Sequence, residues 1–98
     1  MGGKIVEFTK VAGRKTADLT LYALSTCHWC HQTKEFLNNL EVEYQYLDVD
    51  RLTGSERAAA IAEVKKWNPA LSFPVLVVNS TRAILGLRED EIRGAVEA

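Results

Sequence analysis

The stretch LTLYALSTCHWCHQTKEFLNNL (19–40) constrains the fold more than any other part of the chain. Its first six residues are a short apolar run rich in strand formers, ending at Ser25-Thr26, and they read as a buried strand. From Trp29 the spacing changes. Positions 29, 33, 36, 37 and 40 fall at helical steps, which assigns Lys34, Glu35, Asn38 and Glu41 to the solvent side. A strand therefore hands over to a helix at Cys27-His28-Trp29-Cys30-His31, and both cysteines of the chain sit at that junction.

The remainder alternates in the same manner. VEYQYLDVD (42–50) is strand-like, and Thr53-Gly54-Ser55 offers a cap for a second helix. Ala58, Ile61, Ala62 and Val64 or Lys65 define its expected inner face, and Asn68-Pro69 ends it, because proline lacks the amide donor. PVLVVN (74–79) is the strongest strand, Asn79-Ser80 turns, and RAIL (82–85) returns. Gly86 breaks that strand, and REDEIRGAVEA closes the chain as a helix with acidic residues in its first turn. KIVEFTKV (4–11) alternates weakly and could add an edge strand before the turn at Gly13-Arg14-Lys15. The order (β)-β-α-β-α-β-β-α predicts an α/β domain: a four-stranded mixed sheet with three helices on its two faces.

Ninety-eight residues suffice for one core, and 47% hydrophobic with 26% charged residues fits an ordinary globular domain. A net charge of −1, with scattered Lys and Arg, gives no basis for binding nucleic acid or an anionic membrane. No apolar run approaches the length of a membrane span. The N-terminus lacks the apolar stretch of a secretory signal, and Val6 breaks the myristoylation pattern. The cytoplasm is the expected compartment, and a monomer the expected state.

Three chemistries compete for CHWCH. C-x-x-C-H is a haem-attachment pattern, yet the only methionine is Met1 and the only histidine besides His31 is His28, inside the motif. A closed zinc site takes ligands from two separated segments, whereas here all four candidates lie within five residues. A structural disulfide would close too small a loop to staple a fold. The dithiol reading uses the position of the motif as well as its composition. Free N–H groups and the dipole at a helix N-terminus stabilise an anion, so Cys27 is expected to supply an attacking thiolate. Cys30, one turn further on, is expected to resolve the mixed disulfide in a two-electron exchange that needs no cofactor.

With LYALSTCHWCHQTKEFL, SFPVLVV and ILGLREDEI in hand, the chain resembles the glutaredoxins, the compact branch of the thioredoxin fold. The resemblance spans residues 19–97, which suggests an N-terminal extension (1–16) ahead of a glutaredoxin-like domain (17–98). It implies that Pro74 is cis and lies against the active-site cysteine, and that the backbone of Phe73 pairs with an incoming substrate. By sequence alone a trans proline would be preferred.

Departures from the family pattern shape the functional expectation. His28-Trp29 replaces the usual Pro-Tyr between the cysteines. Trp29 keeps an aromatic ring beside the thiol. A protonated His28 would favour the Cys27 thiolate and make the disulfide more oxidising, against the plain alternative of a solvated loop histidine. His31 is expected to face solvent or stack. Leu24 occupies the position of a lysine that grips glutathione, and Gly86-Leu87-Arg88-Glu89-Asp90 replaces a Gly-Gly pair. This pattern is closer to the glutaredoxin-like electron donors of ribonucleotide reductase, with Arg88 available to a partner. Leu24, Trp29, Phe73 and Leu87 around the thiol suggest protein disulfides as clients, with an upstream reductase as electron source. Glutathione as co-substrate is the alternative. A cluster-binding dimer, holding iron and sulfur through Cys27 and external thiols, is the competing reading from another class, and a redox-silent interaction module is a third.

Overall fold

The computed structural model describes residues 8–97. Its elements follow in the order β1 (Thr9–Val11), β2 (Leu19–Ala23), α1 (His28–Leu40), β3 (Tyr44–Asp48), a short 3-10 turn (Val49–Arg51), α2 (Gly54–Trp67), β4 (Val75–Val78), β5 (Arg82–Leu85) and α3 (Glu89–Glu97). The sheet runs β1-β3-β2-β4-β5. Among these strands only β2 and β3 are parallel, with Tyr22 opposite Leu47 and Ala23 opposite Asp48, and the other three strand pairings are antiparallel; an isolated parallel bridge joins Arg14 to Val42. The expected four-stranded core is thus present with the additional strand on its edge. That strand covers Thr9–Val11 of the expected 4–11; positions 4–7 lie outside the described residues.

Strand β2 is central, so both of its faces are covered, and its sequence reads as a nearly continuous apolar run for that reason. Leu19, Leu21 and Ala23 face one core, packed with Cys30 and Leu37 of α1 and Ile92, Ala95 and Val96 of α3. Tyr22 faces the other, packed with Leu47, Val75 and Val77 of the sheet and Ala60 and Val64 of α2. Alternation along one strand therefore places α1 and α3 on one side and α2 on the other.

The second helix rotates away from the expected inner face. Ala60 and Val64 are buried, Ile61 and Trp67 are half-buried, and Ala58 and Ala62 are exposed. Four alanines within five residues give almost no amphipathic contrast, so the sequence pattern could not orient this helix. Lys34 is a second correction. Its side chain is turned inward onto Asp48, at 3.0 Å, rather than into solvent.

Candidate functional site

Cys27 is the N-cap of α1. Its backbone is extended, and its Sγ accepts a hydrogen bond from the backbone N–H of Cys30 at 3.2 Å. A cysteine thus takes the place normally held by Ser, Asp or Asn, whose side-chain oxygen satisfies one of the free N–H groups of the first turn. A sulfur carrying negative charge would make this a charge-assisted bond in the positive field of the helix end. The turn before it is closed by the Cys27 N–H donating to Leu24 O (3.2 Å), and the helix starts with the His31 N–H donating to Cys27 O (3.1 Å). Cys27 itself is half-buried.

Cys30 lies behind it, fully buried against Leu37, Leu21 and Ile92. Its Sγ accepts a hydrogen bond from the Leu24 N–H at 3.4 Å. Burial, then the hydrogen bond with the Cys27 side chain, pushes the Cys30 thiol up to about 12, against smaller pulls downward from the Leu24 amide and the Lys34 charge. One thiol is accessible and the other is held neutral behind it.

Phe73–Pro74 is a cis peptide bond, as the resemblance implied. Pro74 is buried and its carbonyl accepts the Gly86 N–H at 2.9 Å, which joins the start of β4 to the end of β5. Gly86 has φ +79°, a left-handed conformation that favours glycine. Trp29, Phe73, Pro74, Gly86 and Leu87 line one shallow cleft of about 270 Å³. Cys27, Phe73 and Leu87 pack against the same core that holds Cys30. The structure thereby brings together most of the residues singled out from sequence.

Others fall elsewhere. Leu24 packs into the opposite core, with Tyr22 and Val75, because it continues the Tyr22 face of the strand. It does not line the cleft. Trp29 is 58% exposed, with its ring edge-to-face against exposed His28 at 5.2 Å. His31 is exposed yet neither stacks nor stands free: its Nε2 donates to Ser25 O at 2.7 Å. Arg88 lies just before α3, with Nε donating to Leu85 O at 3.2 Å and Nη1 paired with Glu91 at 3.3 Å. Its carbonyl accepts the Ile92 N–H, the first bond of that helix.

Two clusters escaped the sequence reading. Asp50 reaches back to the turn before Cys27, accepting the Ser25 N–H at 2.7 Å and the Ser25 hydroxyl at 2.5 Å. The Ser25 hydroxyl and amide hold the Asp50 carboxyl below its ordinary value. With His31 on the Ser25 carbonyl, all three polar groups of Ser25 are tied. The other cluster is Lys34 with Asp48 and Tyr46, whose ring centre lies 4.1 Å from the Lys34 ammonium. Neither had a signal in sequence, since Lys34 lies 12 and 14 residues from Tyr46 and Asp48, and Ser25 lies 25 from Asp50. Among the described residues no group of three His, Cys, Asp or Glu is placed to hold a metal ion. No helix among them is long and apolar enough to cross a membrane.

Comparison with known proteins agrees with this geometry. The Glutaredoxin family model matches residues 19–83. The solved structure of a glutaredoxin from Methanosarcina mazei Go1 superposes with a TM-score of 0.86 at 40% identity, covering 98% of this chain and 93% of that one. Methanoredoxin from Methanosarcina acetivorans gives 0.84 at 40% identity, covering 88% and 90%. The Gene 56 protein of Mycobacterium phage D29 is 31% identical over 74 residues, 76% of this chain and 77% of its own length. Family and fold support thiol–disulfide oxidoreductase activity. A thioredoxin-like sheet, a CxxC pair at the start of α1, a cis proline in the cleft with Trp29 and a family match covering residues 19–83 place the chain in the glutaredoxin family.

Proposed function

We propose that the protein is a dithiol reductant of protein disulfides, working as an electron carrier between an upstream reductase and its clients. Cys27 attacks a client disulfide and forms a mixed disulfide while the first client thiol leaves. Cys30 then attacks Cys27, the second client thiol leaves, and a Cys27–Cys30 disulfide remains for the upstream reductant to reduce. The observation that carries this reading is the different placement of the two sulfurs. Cys27 caps the helix and accepts an N–H, and Cys30 is buried one turn behind it.

The cleft lined by Trp29, two residues from Cys27, supports a protein client over a charged tripeptide. Its lining of Trp29, Phe73, Pro74, Gly86 and Leu87 contains no charged side chain. Leu24, at the position where a lysine would grip a glycyl carboxylate, is committed to the opposite core. An extended client segment would pair with the Phe73 backbone and lay its apolar side chains on Trp29 and Leu87. Arg88 and the acidic first turn of α3 would form the polar rim. Such a dithiol cycles where thiols are kept reduced, which fits the cytoplasm.

The test is a trap. The Cys30→Ser protein, incubated with cell extract, should retain client proteins through a disulfide to Cys27 that a reducing agent releases. Recovery of glutathione alone would remove the protein-client reading, and recovery of nothing would remove the dithiol mechanism.

A further inference from the structure

Cys30 presents a chemical difficulty for the second exchange. The step is Cys30–SH plus the Cys27–client disulfide giving the Cys27–Cys30 disulfide plus client thiol. The S–S bond to the client breaks, the new S–S bond forms, and the Cys30 proton ends on the departing thiolate. The attacking species is the Cys30 thiolate, and burial opposes exactly that charged form. Something in the fold has to offset the penalty.

We propose that Lys34 is a positioning residue for this step, its ammonium, anchored by Asp48 one helical turn beyond Cys30, stabilising the Cys30 thiolate as it attacks Cys27. The inference rests on the dithiol reading above. Residues i and i+4 are neighbours on a helix surface, and helical side chains lean toward the N-terminus, so the Lys34 stem leans toward Cys30. The Lys34 and Asp48 side chains are only 16% and 15% exposed and lie 3.0 Å apart. The ammonium also sits over the Tyr46 ring at 4.1 Å. A lysine on a solvent-facing helix would wave freely; this one is fixed by two contacts from β3. In so dry a place its charge is poorly screened.

The charged and titratable groups around Cys30 can be named. Cys27 faces it from the helix start, where it opposes a second negative charge in the free dithiol and carries none in the mixed disulfide, while Lys34 is the cation that pulls the thiol down. From β3 come Asp48 and Tyr46, which act on Lys34, and Tyr44, whose hydroxyl donates to Asn38 Oδ1 at 2.9 Å. From α3 the packing partners Ile92, Ala95 and Val96 are uncharged.

Reduced protein mixed one-to-one with dithiobis(nitrobenzoate) separates the two steps. Attack by Cys27 releases one coloured thiolate, and attack by Cys30 on the resulting mixed disulfide releases another. In Lys34→Met the second phase should slow by about threefold near neutral pH, and its pH midpoint should rise. The first phase should stay within about twofold. Lys34→Arg should restore most of the second phase. If Lys34→Met fails to fold, the double variant Lys34→Met/Asp48→Asn leaves no unpaired charge in the seat and should show the same delay. An unchanged second phase, or both phases slowed by the same factor, overturns the proposal. A wild-type protein that releases only one equivalent overturns the dithiol reading instead.

Discussion

At the scale of single residues, reactivity is set by which atoms each side chain meets. Cys27 and Cys30 are the same amino acid three positions apart, yet one is half-buried and accepts a helix N–H while the other lies fully buried. Trp29 illustrates the same point for recognition. In helical spacing it reads as one more apolar position on the core side of α1, but it falls in the first turn of the helix and stays 58% exposed. A large apolar ring left exposed two residues from Cys27 is suited to binding. Trp29→Ala should therefore slow turnover of a protein disulfide by about tenfold, a loss in the range expected for an aromatic anchor. Its first-phase rate with dithiobis(nitrobenzoate) should change little, because that reagent needs no docking. Equal losses on both substrates would instead assign Trp29 to the reactivity of Cys27.

At the scale of elements, two glycines hold the framework for different physical reasons. A Cβ at Gly13 would lie 2.5 Å from the Val42 carbonyl carbon and 2.8 Å from Glu41 O. The close approach lets the Arg14 N–H donate to Glu41 O and the Glu43 N–H donate to Arg14 O, fastening the segment after β1 to the α1–β3 connection. At Gly86 a Cβ would meet nothing within 4 Å, and only the φ of +79° resists substitution. Gly86→Ala should cost about 1–2 kcal/mol, the strain of a left-handed residue, in urea unfolding. Gly13→Ala should cost more, because backbone cannot yield as a side chain can. The opposite ranking would show that the 13–15 segment is not held by this contact. Gly13 read as a turn in sequence, and the neighbour it must avoid lies 29 positions away.

At the scale of the whole molecule, three acidic groups are held neutral by the two cores. Burial raises the Cys30 thiol from 9.0, and the Tyr22 and Tyr44 hydroxyls from 10.0, each to about 12. Each group then binds its proton more tightly folded than unfolded. Their contribution to stability is complete below about pH 9 and falls away as pH rises toward about 12, where the folded groups also ionise. Thermal melts should show Tm falling between about pH 9 and about pH 11, and Cys30→Ser and Tyr22→Phe should each flatten that decline. A Tm that holds steady across this range would mean that the three groups ionise in the folded protein as easily as in the unfolded chain.

The local code of the chain carried a great deal. Strand formers, a change of period at Trp29, Asn68-Pro69 and Gly86 mark the elements to within a few positions, because each depends on neighbours in sequence. The CxxC pair needed only its place at a strand-to-helix junction to point to thiol exchange. Tertiary structure decided the rest. It turned α2 onto Ala60 rather than Ala58, since an alanine-rich helix has no face of its own until a sheet supplies one. It sent Leu24 into the far core and bound Asp50 to Ser25. It also drew Lys34 out of solvent onto Asp48. A side chain's neighbours across a fold depend on strand order and register, and no run of adjacent residues encodes those.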